Sequence, residues 1–315
     1  LRTGSGGFSS ANLDSLFAGT FTNVSLNSAA RVGIDTTTAD FTYSSSVSGT
    51  LGLTKIGANK LTISGTNSYT GGTFVPSSSN ITNSVVDVSG NQSGATGGWE
   101  IGGQGGASIS GTAVVNFLSG STVAVAAGKT VKIGNSGAIG TGNQTLNVAG
   151  TVTNNGSLTV GRPGILNLNN GGAWTQSGTM TLTAQGGYNA TMNVNSGSSF
   201  TYSNAATVKL NAASGSAGQA NLTIDGTGVF TTGAGFQQAT ASTTGYGRIT
   251  LSNGGKIKLS ASVADLTTET QVVLGTGGGV IDTNGFDAAL SGIATIGTAS
   301  TGISGAGGLT KSGGG

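Results

Sequence analysis

Met192-Asn-Val-Asn-Ser-Gly-Ser-Ser-Phe-Thr-Tyr202 holds two apolar-x-apolar triplets, Met192/Val194 and Phe200/Tyr202, that start eight residues apart with Gly197 between them. A triplet of this kind has period 2, the mark of a short strand with one buried face. The same figure recurs on both sides of it. Val115/Phe117 leads through Gly120 to Val123/Val125, and Ile249/Leu251 leads through Gly254 to Ile257/Leu259. Leu166/Leu168 with Trp174, and Leu222/Ile224 with Phe230, follow it more loosely. A third triplet, Val131/Ile133, Met180/Leu182 or Val208/Leu210, comes 14 to 16 residues after the first.

First triplets start at 115, 146, 166, 192, 222, 249 and 272, with steps of 31, 20, 26, 30, 27 and 23 residues, a mean near 26. Constant strands with variable loops describe a solenoid with three strands per turn. The expected fold class is therefore all-β, a three-sided parallel β-helix of about 12 rungs running as one continuous segment over residues 1–315. At about 4.8 Å per rung this makes a rod of roughly 60 Å. Glycine suits the corners, where positive φ is cheap. Helical signals are nearly absent, because Gly interrupts almost every window. The competing architecture is a β-sandwich, which also shows short strands at 8–12-residue intervals. Its hairpins favour Asn-Gly and Pro-containing turns, and the chain has only Pro76 and Pro163.

Composition narrows the chemistry. Of 315 residues 60 are Gly, none is Cys or His, and 7% are charged, against averages of about 7% Gly and about 25% charged. Collagen needs abundant Pro, and disorder needs low hydrophobicity with high net charge; a 35% hydrophobic content and a formal charge of +2 fit neither. Without His or Cys there is no Ser–His–Asp triad, Cys nucleophile, thiolate zinc site or haem ligand. No cofactor is expected. The small charge does not point to nucleic acid or an anionic membrane, and no run reaches the roughly 18 apolar residues of a spanning helix. Leu1 is not an initiator Met, and the abrupt Gly313-Gly-Gly315 reads as the edge of a processed or partial chain.

The most specific stretch is Gly52-Leu-Thr-Lys-Ile-Gly-Ala-Asn-Lys-Leu-Thr-Ile-Ser-Gly-Thr-Asn-Ser-Tyr-Thr-Gly-Gly-Thr73. It resembles the autotransporter-associated β-strand repeat, or passenger-associated transport repeat, of bacterial surface proteins. Gly52, Leu53, Thr54, Lys55, Gly57, Leu61, Thr62, Ser64, Gly65, Asn67, Tyr69, Thr70, Gly71, Gly72 and Thr73 match the family pattern, while Ile56 and Ile63 depart mildly. The repeat spans 47–75, and a second, truncated copy starts at 303–315: Val47 to Lys55 and Ile303 to Lys311 are identical at six of nine positions. Ile-Asp-Thr precedes each, at Ile34 to Thr36 and Ile281 to Thr283. The resemblance implies a right-handed parallel β-helix exported to the outer surface of a bacterium or beyond, and it supplies no catalytic residue. In this reading Leu53, Leu61 and Ile63 fill the core, the glycines make corners, and Tyr69 packs beside Gly71 and Gly72.

Other candidates have bland counterparts. A polysaccharide-processing enzyme needs clustered carboxylates about 5–9 Å apart, yet the ten acids are scattered; the nearest pairs, Asp35/Asp40 and Asp282/Asp287, suit turn capping. Ala127-Gly-Lys-Thr130 ends like a phosphate loop but has Val123 where the first Gly belongs, so it reads as a turn. Gly102-Gly-Gln-Gly-Gly106 lacks the Asp of calcium nonapeptides. Asn80-Ile-Thr82 and Asn221-Leu-Thr223 are triplets expected by chance at this composition. Trp99 and Trp174 suit sugar stacking or core packing, and Thr179, Thr181 and Thr183 suit an exposed strand or an ice-binding face. The expected function is a non-enzymatic, extracellular structural or adhesive β-helical rod: a passenger, stalk or self-assembling fibre segment. Its partners are other copies, end to end or laterally through uncapped strand edges, or cell-surface glycans. The alternatives are a polysaccharide-processing enzyme and a carbohydrate- or ice-binding module.

Overall fold

A computed structural model describes residues 7–77, 83–102, 111–134, 142–212, 217–238, 245–290, 295–296, 299–300 and 302–315. The chain divides into two compact units, Leu1–Gly156 and Ser157–Gly315.

In the first unit the chain visits three sides in turn. The first side stacks Arg31–Asp35, Gly52–Ile56, Thr73–Val75, Trp99–Ile101 and Thr130–Ile133, every pairing parallel. The second stacks Phe41–Tyr43, Leu61–Ile63, Asn83–Val88, Thr112–Phe117 and Gln144–Val148. The third side begins as the short pair Ser48–Gly49 and Ser68–Tyr69, and the later strands Asn91–Gln92, Thr122–Val125 and Thr151–Asn154 form their own parallel sheet.

The second unit repeats the arrangement. One side stacks Ser157–Gly161, Met180–Ala184, Val208–Ala212, Phe236–Gln237 and Thr267–Thr268. The next stacks Gly164–Leu168, Ala190–Val194, Ala220–Asp225, Gly247–Ser252, Gln271–Leu274 and Ile303–Gly305. The third stacks Ala173–Gln176, Ser199–Tyr202, Val229–Thr232, Gly255–Leu259, Gly279–Asp282 and Leu309–Ser312. An antiparallel pair, Thr295–Ile296 with Ala299–Ser300, stands outside the three sides.

The fold is thus a three-sided β-solenoid with parallel sheets, and the triplets account for it. Within the second unit Leu166, Met192, Leu222, Ile249 and Val272 are successive register partners, and each is buried. The second-triplet aromatics stack in the same way: Trp174 on Phe200 with ring centres 6.0 Å apart, and Phe200 on Phe230 at 5.0 Å. Pairs of this kind add about 0.5–1.5 kcal/mol to simple burial. Among the described residues eight turns place a strand in each of the three long sheets, three in the first unit and five in the second. That is fewer than the 12 rungs expected. The expectation divided the whole chain by the mean step, but residues 7–30 form no rung and the third sides of the first two turns form a separate two-stranded sheet.

Sequence reasoning missed a helix. Ser10–Phe17 is α-helical and opens on a capping box in which the Ser9 and Asn12 side chains satisfy each other's backbone N–H groups. Its Leu13, Leu16 and Phe17 are buried. Phe17 meets Tyr69 at 5.9 Å and Tyr43 at 6.5 Å, and Asp14 accepts hydrogen bonds from Tyr43 Oη (2.7 Å) and Ser45 Oγ (2.9 Å). An amphipathic helix thus packs against the first rungs. No helix of the described residues is long and apolar enough to cross a membrane.

Candidate functional site

The repeat residues picked out from sequence occupy two successive rungs of the first unit. Alternation along Gly52–Ile56 sends Leu53 and Lys55 inward and leaves Thr54 half-buried on the outer face. Leu61 and Ile63 fill the next side, fully buried, as expected. Ser64 is exposed at the following corner.

Lys55 was not expected inside. Its side chain has no exposed surface, and Nζ donates to the carbonyl oxygens of Gly57 at 2.6 Å and Ile56 at 3.2 Å. The chain supplies those acceptors by turning immediately after the strand, with Gly57 at φ +84°; a Cβ there would lie 2.4 Å from the Thr37 nitrogen of the rung below. Burial lowers the amine from its ordinary 10.5 to about 8, with Asp35 and Asp40 pulling the other way. An amine sealed from solvent anchors a corner rather than meeting a substrate. The Ile-Asp-Thr rung beneath completes that corner. Thr36 Oγ1 donates to Asn59 O at 2.6 Å and Ile56 O at 3.2 Å, while Asn59 Nδ2 returns bonds to the carbonyls of Thr36 and Thr37.

The second half of the repeat is equally inward. Asn67 Oδ1 accepts from Val47 N at 2.9 Å, and its Nδ2 donates to Gln92 Oε1 at 3.0 Å; Gln92 in turn donates to Gly65 O at 3.0 Å. All three rungs are clipped together by this chain of amides. Gly65 fits because a Cβ there would lie 2.0 Å from Ser45 O. Tyr69, completely buried and pushed up to about 12, hydrogen-bonds Thr73 Oγ1 at 2.6 Å. Its ring lies against Phe17, with centres 5.9 Å apart. Gly72 turns at φ +80°, whereas Gly52 lies within a strand rather than at a corner.

The second copy reproduces the corner. Lys311 Nζ donates to Gly313 O at 2.9 Å, Thr283 Oγ1 donates to Ser312 O and Gly314 O at 3.0 Å each, and Gly313 has φ +80°. Lys311 is exposed where Lys55 is covered by the strand Thr73–Val75.

Several of the acids are engaged in turns and lateral contacts. Asp35 Oδ1 accepts from Thr37 N at 2.9 Å, Asp40 Oδ1 from Lys60 N at 2.9 Å, and Asp282 Oδ1 from Asn284 N at 3.1 Å. Asp35 and Asp282 thus show the turn-capping role read from sequence, whereas Asp40 bonds across to the next rung. Asp87 takes Lys60 at 3.3 Å and Asn116 at 2.7 Å, and Asp225 takes Ser252 and Asn253. Among the described residues no three His, Cys, Asp or Glu side chains group to hold a metal ion. Trp99 and Trp174 are core residues, 2% and 1% exposed, so neither is a sugar platform; Trp99 meets Phe117 edge-on at 5.0 Å and Trp174 donates to Gln176. Thr181 and Thr183 face outward on Met180–Ala184 without a threonine ladder, their neighbours being Thr159, Lys209, Gly161 and Asn211. A three-step ladder does occur elsewhere, Thr175–Thr201–Thr231, and it ends at Lys258. Asn221 is half-buried in the strand Ala220–Asp225. Asn80 to Thr82 and Gly103 to Gly106 lie outside the described residues. Ala127 to Lys129 form the expected turn between Thr122–Val125 and Thr130–Ile133.

Comparison with known families matches residues 53–77 to the passenger-associated-transport-repeat. The match ends within a few residues of the boundary read from sequence, and the solenoid around it fits the β-helix of an autotransporter passenger. Neither the curated proteins nor the solved structures give a match.

Proposed function

We propose, for a chain whose residues 53–77 are a passenger-associated transport repeat, that it serves as a non-enzymatic structural and adhesive β-helical segment on the outer surface of a bacterium or released from it. The repeat family implies a secreted or cell-surface protein. The observation that carries the reading is the use of the repeat's polar residues. Lys55, Asn67 and Tyr69 all point into the rungs and bond backbone or neighbouring side chains, and Thr36 of the rung beneath bonds back to the repeat, so these motif residues are spent on building turns. The turns then offer outer faces rich in Thr, Ser and Asn with a few charges among them, and buried apolar columns behind to resist unfolding. The turn bonds of Asp35 and Asp282 and the inter-rung bond of Asp40 support the same reading against a polysaccharide-processing enzyme, which needs two carboxyls facing one substrate.

Whole-cell labelling in the native host tests it. An impermeant reagent or antibody should mark the chain on intact cells or in the medium, and beads coated with the chain should adhere to host or sibling cells. A cytoplasmic location would refute the reading. So would release of reducing ends from a polysaccharide that is abolished by an Asp or Glu substitution.

A further inference from the structure

One cavity of the first unit is not explained by rung building. It opens along the corner leading into the first side and encloses about 630 Å³, within the roughly 300–1,000 Å³ of small-ligand sites. Its charged lining is Arg31, Lys129, Lys132 and Glu100. Three of the chain's 12 Lys and Arg residues therefore face one cavity, which contains a single carboxylate.

The register explains its shape. Arg31 pairs with Gly52, and Gly72, Gly98 and Thr130 each precede the paired residues Thr73, Trp99 and Val131 of the following strands. The glycines leave a trough across these strands; the strand of Phe74, over which the Arg31 guanidinium reaches, lies two strand spacings, roughly 10 Å, from that of Lys132. The Arg31 side chain reaches along the stack to lie over the Phe74 ring, 5.4 Å from guanidinium carbon to ring centre, a contact of about 0.5–1 kcal/mol at an exposed site. Lys132 sits 3.8 Å from Glu100 at the far end, both partly exposed, a pairing worth about 0–1 kcal/mol and easily exchanged for another anion. Among the described residues no carboxylate is ion-paired to Arg31 or Lys129.

From this geometry we infer that the trough binds an acidic polysaccharide, a chain of sugars carrying carboxylates, laid along the stacking axis. Arg31 is a planar fork suited to one carboxylate. Lys129 and Lys132 take another further along, and the glycine floor lets sugar rings approach the backbone. The hydroxyls of Thr50, Thr70 and Thr130 on the walls supply donors and acceptors for sugar hydroxyls. Single-stranded nucleic acid fits less well, since it draws on exposed aromatic stacking platforms and Trp99, the one aromatic residue of the lining, is buried. The assignment goes beyond the structural role proposed above, which stands or falls on localisation and adhesion and not on this trough.

Calorimetric titration of the whole chain with polygalacturonate oligosaccharides at low salt tests it. Binding should weaken steeply with salt, be absent for neutral dextran, and fall at least tenfold in the Arg31→Gln, Lys129→Gln, Lys132→Gln triple variant. Lys209→Gln with Lys258→Gln, on the second unit, should leave it unchanged. Phe74→Ala should weaken it several-fold by releasing Arg31. If the triple variant melts early, Lys129→Gln, at an exposed turn, should still lower affinity several-fold. No binding, binding unaffected by these changes, or equal binding of a single-stranded oligonucleotide would overturn the proposal.

Discussion

Replacing Lys55 by Met should remove a pH dependence written into the repeat. The Lys55 ammonium is fully enclosed and bonded to two carbonyls, and its titration drops from 10.5 to about 8 because burial disfavours the charge. At about 1.36 kcal/mol per pH unit, keeping that charge inside at neutral pH costs about 3 kcal/mol. Between the two values the unfolded chain holds more protons than the folded one, so stability rises with pH across about 8 to 10.5. Tyr69, raised to about 12, and Tyr43, raised by burial beside Asp14, work in the opposite sense above about pH 10, where the folded chain holds the extra protons. The clean window is therefore pH 7 to 9.5, over which Lys55 should contribute a gain of about 2 kcal/mol. Urea unfolding followed by circular dichroism at those two pH values measures it. Lys55→Met keeps the apolar stem, removes the charge and leaves Gly57 O without its 2.6 Å donor. The variant should lose most of the alkaline gain. An equal gain in wild type and variant would show that the buried amine is not the source.

Three further outcomes follow from the geometry. Asn67→Ala strips Val47 N and Gln92 Oε1 of their partners in one step and should destabilise by about 2–4 kcal/mol in the same urea assay. Gly65→Ala pushes a Cβ to 2.0 Å from Ser45 O, whereas a Cβ at Gly120, φ +82°, meets nothing within 4 Å; the first should prevent folding or destabilise by more than ~3 kcal/mol, the second by only about 1 kcal/mol from backbone strain. Phe200→Ala opens the middle of the Trp174–Phe200–Phe230 stack and should cost about 3–5 kcal/mol, with the fluorescence of Trp174 shifting red while that of Trp99 keeps its buried character.

The repetitive part of this molecule was legible because the same physical demand recurs at each turn. Met192 and Phe200 must both point inward, and period 2 leaves that demand visible as a triplet. The glycine excess likewise follows from close corner packing. What stayed hidden was polar and inward. Lys55, Asn67, Gln92, Gln144, Asn154 and Gln176 are all buried, yet a pattern search that counts only apolar residues passes over them. Lys55 sits two residues from Leu53 on the same strand, so alternation alone predicts that it faces the core, and the positive-φ Gly57 two residues later supplies its acceptor. The helix Ser10–Phe17 was missed for a different reason: it is eight residues long in a chain where Gly argues against helices, and its Ser9/Asn12 box lacks the Glu or Gln usual at the third position. The basic trough could not be read at all. Arg31 and Lys132 stand about a hundred residues apart, and only the strand register places them along one groove.

The parallel register is the claim on which everything else rests, and the absence of cysteine makes it directly testable. Thr201 and Thr231 are register partners on adjacent turns, outward-facing and partly exposed. Thr201→Cys with Thr231→Cys should close a disulfide rapidly under mild oxidation, since neighbouring strands lie about 4.8 Å apart and disulfides span about 4.4–6.8 Å between Cα atoms. Thr201→Cys with Thr223→Cys puts the two thiols on different sides of the same solenoid and should not cross-link within one chain. Rapid closure of the first pair alone is the predicted result; failure of that pair to close, or equal closure of both, would contradict the three-sided parallel stack.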